Sequence, residues 1–315
     1  MRAIPLFTLL LGGWCAIPAH ADEAQDWLNR LSQAEQQQSF QGTFVYERNG
    51  SFSTHNIWHR VQDGKVRERL LQLDGSAQEV LRIDGHTQCV SGSLIAGLGN
   101  TPDGTSRALD PQKLKNWYDL AVIGKSRVAG RQAVIVAMTP KDQHRYGFEL
   151  HLDKETGLPL KSLLLNDKGQ LLERFQFTRL NVAAPTDGDL QASAECKAVT
   201  QDSAKVVAVK AAWHSDWLPP GFELSSSAVR KDPDTQAQVN SLMYDDGLAR
   251  FSVFLEPLNG ANATDTRTQL GPTAAVSRRL TTPQGEMMVT VVGEIPIGTA
   301  ERIALSMRSD VTATQ

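Results

Sequence analysis

The chain has 315 residues and a formal net charge of −3, with 41% apolar and 21% charged residues. That composition can bury cores and is neither disordered nor disulfide-dense. At 6% aromatic and slightly acidic, it offers neither a basic footprint nor a stacking platform for nucleic acid, which excludes that class of partner.

Residues 1–21 read as an export signal. Arg2 is a short basic n-region, Leu6 to Leu11 with Trp14 and Ile17 make the apolar stretch, and Ala19-His20-Ala21 is an A-x-A cleavage site. The mature chain is expected to begin at Asp22. Lipidation at Cys15 is the competing reading, and Trp14 speaks against it because such signals place small residues before the cysteine. No later run approaches the roughly 18 apolar residues of a membrane span. The expectation is a soluble protein of a bacterial periplasm.

Export changes how Cys89 and Cys196 read. They are an even pair in a compartment where disulfides persist. A bond closing so long a loop is worth roughly 4–5 kcal/mol in the chain-entropy model. The alternative is one thiol buried in a strand and another in a loose linker. Neither has the C-x-x-C spacing of redox or zinc motifs.

Asp22 is the expected N-cap of a first helix, with Trp27, Leu28, Leu31 and Ala34 at helical spacing and an end near Ser39. The period then changes. Segments rich in Val, Tyr, Phe, Trp and Ile alternate with Asn49-Gly50, Asp63-Gly64, Asp74-Gly75 and Asp84-Gly85. These dipeptides favour type I′ turns, because both central residues need positive φ, and predict a five-strand antiparallel meander. Residues 91–108, rich in Gly, Ser and Thr, read as a mobile surface loop. A short helix follows, with Asp110 as N-cap, Pro111 at its first position and Leu114, Trp117 and Tyr118 on its packing face. Strands resume at about 119–128, 132–139, 145–153, 158–165 and 170–181.

Residues 22–182 thus predict one antiparallel sheet of about ten strands with two or so helices. Accumulated twist in so large a sheet favours a barrel or half-barrel. Residues 183–212 lose periodicity and read as a solvated linker. A second, smaller mixed α/β domain spans 213–315, with a hairpin at Asp246-Gly247, strands near 273–280 and 286–294, and a helix near 298–307. The fold class is α+β. The first part, 22–212, carries 23 basic and 23 acidic side chains and the second 8 and 12, so the negative charge resides in the second and favours a basic partner surface, weakly once salt screens it.

The search for catalytic chemistry is unproductive. His55 and His59 have the i, i+4 spacing of a helical zinc site, but on a strand that spacing separates the imidazoles by roughly 13 Å, so they read as exposed or half-buried sheet residues. His144 and His151 point to opposite faces. There is no G-x-S-x-G elbow, activated cysteine, phosphate loop or isolated carboxylate couple, and no cofactor, metal or catalytic residue is expected. What stands out is apolar side chain on a curved sheet: Phe44, Tyr46, Trp58, Leu71, Leu81, Phe148, Leu150, Phe175 and Phe177. They read either as a core filled by the helices or as an incompletely filled lumen that accepts acyl chains.

Four segments carry a resemblance: Phe40-Gln41-Gly42-Thr43-Phe44-Val45-Tyr46; Ser53-Thr54-His55-Asn56-Ile57-Trp58-His59-Arg60; Trp217-Leu218-Pro219-Pro220-Gly221-Phe222; and Asp246-Gly247-Leu248-Ala249-Arg250-Phe251-Ser252-Val253-Phe254. In order and across both parts, the chain resembles the MucB/RseB family of periplasmic negative regulators of an envelope-stress sigma factor. The resemblance implies a LolA/LolB-like half-closed β-barrel with covering helices, followed by a smaller partner-binding domain. It implies binding to the periplasmic part of a MucA/RseA-type membrane anti-sigma factor and protection of that factor from site-1 proteolysis. It further implies release by lipopolysaccharide or another lipid, and an output that includes alginate synthesis. The sequence is also compatible with a homo-oligomer. The same apolar half-barrel would suit a periplasmic lipid or lipoprotein carrier, the alternative function, though a simple shuttle needs only the first domain.

Overall fold

A computed structural model describes residues 19–310 apart from 77, 93–108, 200–206, 209–211, 232–236, 261–262 and 283–284. Most of the expected export signal and of the 91–108 loop therefore lie outside the described residues.

Helix α1 (Ala19–Gln37) buries Ala24, Leu28, Leu31 and Ala34, the i, i+3, i+4 stripe legible in the sequence. It starts three residues before the expected N-cap. Asp22 sits inside the first turn instead, where a carboxylate still meets the positive end of the helix dipole.

Five strands follow: β1 (Phe40–Arg48), β2 (Ser51–Gln62), β3 (Lys65–Gln72), β4 (Glu79–Ile83) and β5 (His86–Ser91). Three of the four turn dipeptides do what their chemistry demands, with positive φ at Asn49, Gly50, Asp63, Gly64, Asp84 and Gly85. Asp74-Gly75 does not form a two-residue turn. Only Gly75 has positive φ, and the Asp74 carboxylate accepts from the Thr54 amide, so β3 and β4 are joined by a longer link. Helix α2 (Pro111–Leu114) is capped by the Asp110 side chain, which accepts from the amides of Gln112 and Lys113. Then come β6 (Tyr118–Val128), β7 (Arg131–Pro140), β8 (Gly147–Asp153), β9 (Pro159–Leu165) and β10 (Leu171–Asn181).

With β11 (Lys197–Ala198) these strands form one eleven-stranded sheet in the order β11-β5-β4-β3-β2-β1-β10-β9-β8-β7-β6. It is open: β11 and β6 are its two ends, and among the described residues no strand pairing closes it into a barrel. One face carries α1. The opposite face carries residues 183–199, and here the expected solvated linker is corrected. Leu190 is fully buried, Asp187 pairs with Arg60 at 2.8 Å, Arg69 donates to the Asp189 carbonyl, and β11 adds to β5. The Cys89 and Cys196 sulfurs are bonded, with Cα atoms 5.4 Å apart across 107 residues of sequence.

The second sheet has seven strands in the order β12-β14-β15-β16-β19-β18-β17. They are β12 (Val207–Ala208), β14 (Glu223–Lys231), β15 (Gln238–Asp245), β16 (Arg250–Pro257), β17 (Thr266–Leu270), β18 (Thr273–Thr282) and β19 (Gly285–Gly293). Helix α3 (Ile297–Ser306) buries Ala300, Ile303 and Ala304 in one cluster with Leu242, Phe251, Val253, Val276, Val289 and Val291. A two-stranded pair, β13 (Trp213–Ser215) with β20 (Met307–Ser309), ties the start of this region to its end. The serine-rich β14 and the fully exposed edge strand β17 have no hydrophobic alternation to betray them, and sequence reasoning missed both.

Candidate functional site

Strand register decides which of the apolar side chains can meet. Phe44, Phe175 and Phe177 share one face, with ring centroids 4.7 Å (Phe44–Phe175), 6.0 Å (Phe44–Phe177) and 5.0 Å (Phe175–Phe177) apart. Leu150, Ser162, Phe175 and Tyr46 form a row across four neighbouring strands, and Phe148, Leu164, Glu173 and Arg48 form the next. Phe44 and Phe177 are buried in a cluster with Ala34 of α1, and Leu150 is buried in one with Leu28 and Leu31. Helix α1 fills this part of the face as ordinary core. Tyr46 and Phe175, in the Leu150 row, and Phe148, in the Arg48 row, stay half-buried and form an aromatic margin.

Trp58, Leu71 and Leu81 do not join this set. Trp58 pairs with Arg69, and Arg69 in turn with Leu81. The Arg69 guanidinium lies 4.9 Å from the Trp58 ring and bonds Glu79 on the register neighbour of Leu71. Side chains alternate along strands, so these three belong to the opposite face, which carries residues 183–199. The nine side chains are therefore divided between the two sides of the sheet.

His55 and His59 are corrected too: both are buried, on the helix-bearing face. His55 stacks on Phe44 at 5.0 Å and bonds Ser53, and burial holds its imidazole below the ordinary value. His59 stacks on Phe40 at 4.8 Å and reaches the Glu35 carbonyl in the last turn of α1, a favourable place for an imidazole at a helix C-terminus. His59 thus ties α1 to the sheet, and no group of His, Cys, Asp and Glu suited to a metal ion occurs among the described residues.

The aromatic margin abuts the second sheet. Arg48 bonds Tyr46 and Thr273 and pairs with Glu173 at 3.7 Å and Glu294 at 3.4 Å. Burial pushes the Tyr46 phenol and the Glu173 carboxyl up. The Asn49-Gly50 turn lies against Gly271, whose added Cβ would sit 3.6 Å from the Asn49 Cβ.

A deeper contact lies at the far end of the interface. Arg145, from the loop between β7 and β8, and Asp246, at the tip of the β15–β16 hairpin, pair at 2.5 Å with both side chains fully buried. Arg145 also donates to both Asp142 oxygens and to the Pro220 carbonyl. The Phe222, Tyr118 and Trp117 rings lie 5.1, 5.7 and 5.8 Å from its guanidinium carbon, a distance suited to cation–π attraction. Asp246 accepts from the Leu248 and Ala249 amides and from the Tyr118 hydroxyl. Leu248 packs on the α1 cluster, Lys113 pairs with Glu223, and His144 bonds Thr299 while packing on Trp217.

Known sequences match this chain along nearly its whole length. The family model of the MucB/RseB N-terminal domain matches residues 23–205, and that of the MucB/RseB C-terminal domain matches 207–308. The chain belongs to the MucB/RseB family. It is 63% identical to the sigma factor AlgU regulatory protein MucB of Pseudomonas aeruginosa, over 99% of both chains. A solved Pseudomonas aeruginosa MucA/MucB complex matches at a TM-score of 0.82 and 63% identity, covering 92% of this chain and 100% of that one. A crystal structure of MucB matches at 0.68 and 60% identity, over 91% and 98%.

The four segments that resemble the MucB/RseB family now have physical roles. The first two are β1 and β2, whose aromatic and histidine side chains hold α1. The other two meet at the interface: Pro220 and Phe222 receive Arg145, and Asp246 answers it. Sequence reasoning missed Arg145 because it stands in an unpatterned loop and its partners are 75 and 101 residues away.

Proposed function

We propose that this protein is a periplasmic regulator that binds the periplasmic part of a MucA-type membrane anti-sigma factor. By shielding that segment from site-1 proteolysis it keeps an AlgU-type envelope-stress sigma factor inactive, and the output extends to alginate synthesis. The observation that carries the reading is likeness through both halves at once, to a curated AlgU regulator and to a solved complex containing MucA. The relative is named a regulatory protein, which supports a role without catalysis. The export signal supports a periplasmic location.

Release is assigned to lipopolysaccharide or another lipid. Its acyl part would lie on the half-buried Tyr46, Phe148 and Phe175 of the LolA/LolB-like domain, with an anionic group beside Arg48. Residues 213–315 would contribute part of the anti-sigma grip. If lipid and segment favour different arrangements of the same molecule, each weakens the other by the same factor.

The test is capture of the MucA periplasmic segment by the mature chain, with and without lipopolysaccharide. Capture that lipid abolishes is the expected result. No capture would favour a lipid or lipoprotein carrier, and capture indifferent to lipid would remove the release step.

A further inference from the structure

The Arg145–Asp246 contact is the one place where a fully buried charge of the first sheet's loops meets a fully buried charge of the second sheet among the described ion pairs. Its chemistry is complete: the carboxylate accepts from two backbone amides, a guanidinium and a phenol, and the guanidinium serves two carboxylate oxygens of Asp142, one of Asp246 and a carbonyl. Desolvation offsets much of the Coulomb gain of such a pair, so its net stabilisation is small, while its demand for one geometry is strict. An apolar contact tolerates sliding, whereas separating this pair leaves a buried charge without its partner.

The surroundings fix that geometry further. Gly221 has φ +87°, and a Cβ there would fall 2.2 Å from the Trp117 ring, so the 217–222 segment lies directly on the indole. The remaining ion pairs across the interface are more exposed. Lys113–Glu223 and Arg48–Glu294 each include a side chain about half or more in water, and such pairs contribute little orientation. Over the whole chain, the structure matches the MucA-containing relative at a TM-score of 0.82 and the MucB crystal structure at 0.68.

We infer that Arg145 and Asp246 are positioning residues for partner capture: their pairing fixes the two sheets in the arrangement that grips the anti-sigma segment. The inference rests on the proposed function, and it assigns the contact no touch with the segment itself. Partner binding and formation of the pair are then linked, so each favours the other by the same factor.

The experiment uses the full mature chain and the periplasmic segment of Pseudomonas aeruginosa MucA as probe. Asp246→Asn, near-isosteric, and Arg145→Met are compared with wild type by calorimetric affinity. The distance between spin labels on β3 and β18 is followed in parallel. Each variant should bind about 5- to 150-fold more weakly, the usual span of a coupling between sites. Its distance distribution should broaden while both cores stay folded, and the double variant should lose no more than either single one. Folded variants that bind like wild type, or losses that add in the double variant, would overturn the inference. If neither variant folds, wild type decides: the Leu248 and Ala249 amides, which donate to Asp246, should exchange more slowly with the segment bound, and unchanged exchange overturns it. Wild type that fails to bind the segment at all counts against the proposed function instead.

Discussion

The carboxylate of Glu79, buried on β4, accepts hydrogen bonds from both the amide and the hydroxyl of Ser193, 114 residues further along the chain. Arg69 completes the site with a 2.6 Å bond. Burial works to raise the Glu79 carboxyl, but the bonds from Ser193 and Arg69 outweigh it and hold it below its ordinary value of 4.5. A depressed folded-state value contributes stability that is present above the unfolded value and is lost as pH falls through the folded one. Glu79→Gln should therefore cost about 2 kcal/mol at neutral pH, measured by urea denaturation. The gap to wild type should close as the pH drops below 4.5. A gap that is independent of pH would show that the carboxylate charge is not what holds residues 183–199.

The same segment is held a second time by Cys89–Cys196. The bond spans 107 residues of sequence, and for loops of that length the chain-entropy model gives about 4–5 kcal/mol. Replacing both cysteines by serine should lower stability by that order. Because the disulfide and Glu79 anchor one element, combining the substitution with Glu79→Gln should cost less than the sum of the two. Strict additivity in denaturant titrations would mean that the two anchors act on separate units.

His55 sets a different pH dependence. It is packed on Phe44 and bonded to Ser53, with Asp74 as the facing charge that pulls the other way. Burial wins and lowers its value from 6.5. The native state prefers the neutral ring, so stability is fully present above 6.5 and declines as pH falls through the depressed value. His55→Leu should flatten the stability profile between neutral and mildly acid pH. Thermal denaturation across that range checks it, and an unchanged slope would place the titration elsewhere.

These sites show what the sequence made legible and what it hid. Turn chemistry is local, so Asn49-Gly50, Asp63-Gly64 and Asp84-Gly85 announced the meander, and Asp110-Pro111 announced α2. Facing is not local. Trp58, Leu71 and Leu81 lie on a sheet apolar on both sides, where alternation gives no polar partner to reveal which way each residue points. Residues 183–199 are polar enough to read as a linker, because what holds them is one buried leucine, a disulfide and hydrogen bonds to distant carboxylates and carbonyls. The Trp217–Phe222 and Asp246–Phe254 segments could be noticed as motifs, but only the fold shows that they meet at Arg145.

Three glycines separate backbone strain from crowding. Gly50 has φ +74° and nothing within 4 Å of an added Cβ, so Gly50→Ala meets only the left-handed penalty of about 1–2 kcal/mol. Gly42, in β1, has no such strain, but its Cβ would fall 2.4 Å from the Arg179 carbonyl and 2.8 Å from the Phe177 ring. Gly42→Ala must push β10 and the aromatic cluster apart and should cost about 1–3 kcal/mol. Gly221 has both problems, φ +87° and the Trp117 ring at 2.2 Å. Gly221→Ala should therefore be the most destabilising of the three. Its effect should centre on the contact between the sheets, read as faster amide exchange at Leu248 and Ala249 with exchange in β1 and β10 unchanged. Equal losses from Gly50→Ala and Gly221→Ala would mean that the 217–222 segment does not lie against Trp117 in solution.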